Sequence, residues 1–280
     1  VSVWFVTGAA RGLGAEIVTA ALAAGHQVVG AARHPEAVTA RFPDAGDRLL
    51  SVALNVTDEA AAHAAAAAAV GAFGRIDVLV NNAGRGLLGA VEELPDDAVR
   101  AVYETNVFGT LTVLRAVLPT MRAQRSGHVV TISSIGGFTG SPGWGVYNST
   151  KFALEGLSEA LAREAAPLGI GVTIVEPGYF RTDFLDGSSL HVGAGTIDDY
   201  AGGPVGATRQ RAADVNHAQP GDPAKAAAAI VAVVDSPEPP LRIQLGRDSF
   251  DAIAAKLAFV AKEQAAWRDV SLSTDHDDVG

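Results

Sequence analysis

Tyr147 and Lys151 stand four residues apart in the run Tyr147-Asn148-Ser149-Thr150-Lys151. On a helix that spacing puts both side chains on one face. A free phenol, with a pKa near ~10, is a poor base at neutral pH. An ammonium group beside it stabilises the phenolate and brings proton exchange toward the working range. Upstream, Ser133 and Ser134 close an apolar run that reads as a strand, and a hydroxyl there can hold a carbonyl oxygen next to the phenol. Tyr-x-x-x-Lys by itself is a commonplace surface pair. Its place after a strand ending in Ser-Ser gives it weight, and predicts chemistry at a carbonyl or alcohol carbon.

A second constellation opens the chain. Directly after the apolar run Val3–Thr7 comes Thr7-Gly8-Ala9-Ala10-Arg11-Gly12-Leu13-Gly14. Glycines in such a turn allow positive φ and close backbone approach, and the helix that follows directs free N–H groups at an anion. A dinucleotide site that prefers NAD places an acid at the end of the second strand, on the ribose 2′-hydroxyl. Here that position reads Ala31-Ala32-Arg33, with no carboxylate before Glu36. Arg33 can bind a 2′-phosphate in a planar, charge-assisted way, and Arg11 in the turn can approach the same group. Either arginine alone reads equally well as a solvated charge; together, with the acid missing, they predict NADP(H).

The elements that must position these residues are visible as alternation. Val3–Thr7, Gln27–Ala32, Leu49–Asn55, Val78–Asn81, His128–Ser133, Gly171–Glu176 and Leu241–Leu245 are short and almost wholly apolar, as strands buried on both faces of a parallel sheet are. Between them, Gly14–Ala24, Asp58–Phe73, Asp96–Leu118 and Val146–Ala165 carry helical periodicity. Strand and helix in turn predict an α/β fold, a doubly wound parallel sheet in one domain. Ala60–Ala69 reads as a good scaffold helix, with Asp58 as its N-cap. The pattern breaks once, between Thr182 and Asp222, in a Gly- and Ser-rich stretch whose length predicts a functional loop. The segment from Ser271 to Gly280 reads as a frayed, acidic tail.

Composition narrows the partners. In 280 residues, 48% are apolar and the net charge is −10, and no Lys/Arg cluster is denser than Arg122–Arg125. That balance argues against nucleic acid or an anionic membrane as a partner. No apolar run reaches the roughly 18 residues that span a bilayer, and Val1–Val6 reads as a core strand rather than a signal peptide. Without cysteine there is neither disulfide nor thiolate metal site, which agrees with a cytoplasmic setting. The histidines show no metal-ligand spacing, and His191 and His217 read as solvent-facing.

Taken in order, the motifs resemble those of the short-chain dehydrogenase/reductase family along essentially residues 3–250. Thr7, Gly8, Gly12 and Gly14 match its Thr-Gly-x-x-x-Gly-x-Gly; Asn81-Asn82-Ala83-Gly84 matches its Asn-Asn-Ala-Gly; Ser134, Tyr147 and Lys151 match its catalytic trio; Pro177-Gly178 and Thr182 match the segment closing on the nicotinamide. The resemblance implies a Rossmann-like fold, with cofactor contacts from Gly8, Ala10–Gly14, Arg33, Asn55, Val56, Asn82, Ala83, Gly84, Pro177, Gly178, Phe180 and Thr182, and from Tyr147 and Lys151 as well. It implies that Asn106 holds a water linking Lys151 to solvent, that Lys151 also bonds the nicotinamide ribose, and that Tyr147 protonates the carbonyl as hydride arrives. Asn55 stands where many relatives carry Asp.

Substrate contacts are expected from Ser134, Gly136, Trp144, Tyr147 and Phe184, beneath a lid over about 183–222. These residues, with Phe138, Tyr179, Phe180 and Leu185, predict a lipophilic or aromatic ketone, aldehyde or alcohol. A 3-oxoacyl-carrier-protein reductase is the alternative, though the basic patch for an acidic carrier is thin; a non-catalytic NADP(H)-binding regulator would be expected to have lost the Tyr or the Lys. A sugar-nucleotide epimerase or dehydratase would need a longer C-terminal domain. Family habit implies a homodimer, possible also as a tetramer, through the Asp96–Leu118 and Val146–Ala165 helices.

Overall fold

The computed structural model describes residues 1–193 and 195–276. Seven strands form one parallel sheet in the order β3-β2-β1-β4-β6-β7-β9: β1 (Val3–Thr7), β2 (Gln27–Ala32), β3 (Leu49–Ala53), β4 (Val78–Asn81), β6 (Gly127–Ile132), β7 (Ile170–Pro177) and β9 (Arg242–Leu245). Two further strands, β5 (Gly86–Leu88) and β8 (Leu190–Val192), pair with each other outside it. The helices are α1 (Gly12–Ala23), α2 (Pro35–Arg41), α3 (Glu59–Phe73), α4 (Asp96–Tyr103), α5 (Gly109–Gln124), α6 (Gly145–Ala165), α7 (Asp198–Ala201), α8 (Pro204–Asp214), α9 (Pro223–Val234), α10 (Arg247–Ala266) and α11 (Arg268–Leu272).

The all-apolar strands have the predicted cause. One core holds Phe5, Val29, Leu79 and Val129 beneath α3 and α5; the other holds Trp4, Val6, Val80 and Val130 beneath α1 and α9. Alternate side chains of a strand enter opposite cores, so the central strands are covered on both faces, while the edge strands β3 and β9 are partly exposed. Strand order reverses between β1 and β4. A doubly wound sheet opens its ligand crevice at that point, outside the carboxyl ends of the strands.

Boundaries shift where local bonds outcompete the pattern. β3 stops at Ala53, short of Asn55, because the Asn55 carbonyl turns back to accept the Asp58 N–H at 2.9 Å. Asp58 then caps α3 by accepting the Ala61 N–H at 3.0 Å. The single helix expected over Asp96–Leu118 is two, with a π-helical turn, Glu104–Phe108, between α4 and α5. Gly109 lets that turn pass under Val56, whose Cγ2 would stand 2.6 Å from an added Cβ.

The stretch from Thr182 to Asp222 is not structureless: it carries β8, α7 and α8. α11 extends helix into the segment expected to fray; residues 277–280 of that tail lie outside the described residues.

Candidate active site

The glycine turn is held by its neighbours before any ligand arrives. The Thr7 hydroxyl accepts the backbone N–H of both Asn82 and Ala83 at 3.0 Å, and the Asn82 side-chain amide donates to the Thr7 carbonyl at 2.8 Å. Gly8 and Gly12 have φ of +68° and +54°, which L side chains rarely adopt. A Cβ at Gly14 would overlap the Gly8 carbonyl and the Asn82 amide. The turn is therefore an open cradle of backbone N–H groups at the start of α1, and a phosphate-bearing dinucleotide fits it.

Arg33 and Arg11 part ways. Arg33 is exposed at the end of β2 and makes no salt bridge among the described residues. The Arg11 guanidinium, by contrast, donates to the Ser188 hydroxyl (2.6 Å), the Ser188 carbonyl (3.0 Å) and the Ser189 hydroxyl (2.8 Å). It ties the glycine turn to the segment expected to be the lid. Both arginines line the same cleft.

Tyr147 and Lys151 rise from the first turns of α6. The Lys151 ammonium lies 5.8 Å from the centre of the Tyr147 ring and donates to the Ile132 carbonyl at 2.8 Å. Burial pushes the Lys151 pKa down to about 8, against the pull of Glu155 one turn further on. Burial pushes the Tyr147 phenol up, against the Ser134 hydroxyl beside it. The Ser134 Oγ accepts the Gly136 N–H at 3.0 Å, which leaves its own proton free to donate.

Asn106 sits in the π turn, 1% exposed. Its Oδ1 accepts the Arg85 N–H at 2.9 Å, and its Nδ2 donates to the Arg85 carbonyl and the Thr150 hydroxyl, each at 3.0 Å. Gly84 is packed between Asn106 and Lys151, with an added Cβ 3.3 Å from the former and 3.8 Å from the latter.

A cleft of about 720 Å³ joins the glycine turn to Tyr147. Every expected cofactor, catalytic and substrate residue lines it except Asn106, which lies behind Arg85. Asn55, with Leu54 and Val56, forms its wall under β3; the Asn55 Oδ1 accepts the Thr57 N–H at 3.3 Å. At the other end Trp144, Tyr147 and Phe184 form an apolar pocket wall, the first pair edge-on and the second tilted, adjacent ring centres 5.6 Å apart. Leu88, Leu190 and Ala212 pack behind these rings as one buried apolar cluster, and Leu185 packs against it and lines the cleft. The Phe180 ring lies partly against the α1/α9 core and over Gly221, so packing accounts for much of it.

Three anchors escaped sequence reasoning. Asp248, at the start of α10, accepts the Tyr179 N–H at 2.7 Å and occupies the space a Cβ at Gly178 would take. Arg242 bonds Glu155 (2.8 Å), Glu159 (2.8 Å) and Glu176 (3.1 Å), bracing α6 beneath Lys151. Glu93, its side chain fully buried, accepts the Ala90 N–H (2.7 Å) and the Ile197 N–H (2.9 Å) and pairs with Arg209 of α8. The backbone bond from Ile197, ahead of Arg209, holds the Glu93 carboxyl below its ordinary range.

Glu93→Ala should therefore free the 195–214 segment, raising its amide exchange about tenfold, as loss of a net hydrogen bond or two would. In the wild-type protein the same loosening should begin as the pH falls through the carboxylate range, because a lowered folded pKa contributes stability only above it. Equal exchange in the two proteins at neutral pH would exclude the latch.

Comparison with known proteins agrees with this geometry. The family profile "short chain dehydrogenase" matches residues 2–191. Oxidoreductase BOA17 of Botryotinia fuckeliana is 38% identical over 97% of this chain and 98% of its own. A 3-ketodihydrosphingosine reductase of Bacteroides thetaiotaomicron is 36% identical over 86% of each chain. The crystal structure of a short-chain dehydrogenase from Streptomyces avermitilis superposes with a TM-score of 0.89 at 45% identity, covering 98% of this chain and all of that one. The chain belongs to the short-chain dehydrogenase/reductase family, and is an oxidoreductase of that family.

Proposed function

We propose that the protein is an NADP(H)-dependent reductase of lipophilic or aromatic ketones and aldehydes. The observation that carries this reading is a buried, neutral Tyr147 beside Lys151, set between an aromatic pocket and a cleft that runs back to the glycine turn and Arg33. The name 3-ketodihydrosphingosine reductase on a 36% identical relative supports a lipophilic ketone.

The bound cofactor supplies hydride to the carbonyl carbon. Tyr147 donates its proton to the carbonyl oxygen, and burial favours the protonated phenol this direction needs. Ser134, its Oγ already accepting from Gly136, donates its free proton to the same oxygen as charge develops there. Tyr147 is the third residue of α6, where the helix N-terminus favours the phenolate left behind. Lys151 adds its charge to that phenolate; one N–H is committed to Ile132, and the others would hold the ribose hydroxyls of a bound cofactor. Both side-chain ends of Asn106 are taken and its main-chain carbonyl accepts the Thr110 hydroxyl at 2.8 Å, so a water linking Lys151 to solvent would use the second lone pair of that carbonyl. Residues 183–222 act as the lid, held by Arg11 and Glu93. The homodimer expected from family habit would use α5 and α6, with Phe108 of the preceding π turn and Phe152 of α6 exposed there.

The test is NADPH consumption by the purified protein against a panel running from short polar aldehydes to long-chain and aryl ketones. Turnover should rise with apolar substituent size. Turnover confined to polar carbonyls, or NADH used in preference to NADPH, would refute the proposal.

A further inference from the structure

One guanidinium, that of Arg242, faces the three carboxylates of Glu155, Glu159 and Glu176. The Glu155 and Glu176 side chains are buried, whereas 45% of the Glu159 side chain is exposed. Gln244 also donates to Glu176, and the neutral Ser249 hydroxyl of α10 donates to the Glu176 carbonyl at 2.7 Å. The other cation facing Glu155 is Lys151, one turn earlier on α6. Three carboxylates around one guanidinium, two of them buried, are costly, and a proton on one carboxyl relieves them. Glu155 is that carboxyl. Burial pushes it up to about 7, against the Ser133 hydroxyl; Glu176 pushes the same way as burial, and Arg242 opposes.

Two buried polar atoms here have no hydrogen-bond partner among the described residues, Glu155 Oε1 and Ser133 Oγ. Both border Gly137: a Cβ there would overlap Ser133 Oγ and stand 2.9 Å from Glu155 Oε1. Ser133 follows Ile132, whose carbonyl accepts the Lys151 ammonium at 2.8 Å, and it lines the cleft. A buried, unpaired hydroxyl is therefore flanked by a carboxyl group and by the peptide that holds an ammonium. Unpaired buried groups are rare enough to need a reason, and a proton path supplies one.

We propose that Glu155 passes protons to Lys151 through the Ser133 hydroxyl, on a route to solvent separate from the one beside Asn106. The inference rests on the reading of Tyr147 and Lys151 as the pair that protonates the substrate. Once Lys151 has given a proton toward Tyr147, its nitrogen carries a lone pair. The Ser133 O–H breaks as the new Lys151 N–H forms, and Ser133 takes the proton of the Glu155 carboxyl. The result is a charged Lys151 and a Glu155 carboxylate, which recovers its proton from water at the Glu159 edge. The transfer is nearly level in free energy, since Glu155 at about 7 and Lys151 at about 8 hold a proton about equally well. Glu155 touches neither substrate nor cofactor; it acts through Lys151.

Stopped-flow oxidation of NADPH by an aryl ketone, propiophenone, at neutral pH compares the wild type with Glu155→Gln and Ser133→Ala. The first turnover draws on the proton already held by Tyr147, so all three proteins should share its rate. Later turnovers of Glu155→Gln should slow about tenfold, leaving a burst of one NADPH per site, because reprotonation then falls to the other route. Ser133→Ala, which leaves the Arg242 brace intact, should show the same burst. Infrared difference spectra of the cofactor-free protein should show a carboxylic acid band that fades as the pH rises through about 7. That band should be missing in Glu155→Gln and kept in Ser133→Ala. Steady rates equal to the wild type in both variants, or first turnovers slowed as much as later ones, would overturn the proposal and leave Glu155 a structural brace. Full turnover by Tyr147→Phe would instead sink the reading of the Tyr147–Lys151 pair on which the relay rests.

Discussion

Tyr147→Phe should fold like the wild type and reduce a carbonyl substrate about 10²- to 10⁴-fold more slowly, with NADPH affinity little changed. A positioned general acid contributes roughly 10²–10⁴ to a rate, and here the phenol is the acid nearest the apolar pocket. The ring itself remains between Trp144 and Phe184, so packing is conserved. Removing the buried hydroxyl should move stability by no more than about 1 kcal/mol. Steady-state kinetics and thermal unfolding of the two proteins, side by side, check this. A variant that kept its turnover would end the assignment of Tyr147 as proton donor.

The same constellation predicts how activity and stability diverge with pH. In the mechanism proposed above, reduction needs a protonated phenol and a charged Lys151. The Lys151 pKa stands near about 8 in the folded protein, against an ordinary 10.5. Reduction should therefore decline as the pH rises through about 8, a value that belongs to the Tyr147–Lys151 pair as a unit. Stability runs the other way. A lysine whose folded pKa is lowered is held at a disadvantage while charged, and the fold recovers that loss as the pH climbs from about 8 toward 10.5. Cofactor-free protein should thus gain thermal stability over the range in which reduction fades, and Lys151→Met should remove both trends.

What could be read from the sequence was whatever is local. Apolar runs such as Val3–Thr7 and Val78–Asn81 announce buried parallel strands, because burial on both faces leaves no polar alternation. The glycine turn and Tyr-x-x-x-Lys are short motifs whose meaning depends only on the element before or after them. The parts that stayed hidden are long-range. β5 and β8 are three residues each and pair across a hundred positions, as Gly86 with Leu190, too short for any period to show. The π turn at Glu104–Phe108 keeps a helical pattern on both sides, and its cause is the grip of Asn106 on Arg85, which no spacing encodes. Glu93 and Asp248 read as ordinary acids until the fold brings Ile197 and Gly178 to them. Arg11 matched its motif position but was taken by Ser188 and Ser189, partners 177 and 178 residues away.

That capture of Arg11 decides the cofactor prediction. Arg33, exposed at the end of β2 and unpaired among the described residues, is a cation free for a 2′-phosphate, so Arg33→Ala should weaken NADPH binding about 10- to 100-fold and leave NADH nearly untouched. The range follows from a charge-assisted, bidentate contact of roughly 1.5–3 kcal/mol, with its lower end set by solvent screening at an exposed site. Arg33→Asp should go further, repelling the 2′-phosphate while offering an acceptor to the ribose 2′-hydroxyl of NADH. Arg11→Ala should act differently: a smaller loss of NADPH affinity, but faster exchange at Ser188 and Ser189. The wild-type preference should also shrink with added salt, since an exposed ion pair is screened within about 10 Å at 0.1 M. Titration of both cofactors against the three variants by intrinsic fluorescence distinguishes these outcomes. Equal losses for NADH and NADPH in Arg33→Ala would mean that Arg33 grips the adenosine in general, and that the 2′-phosphate is read elsewhere.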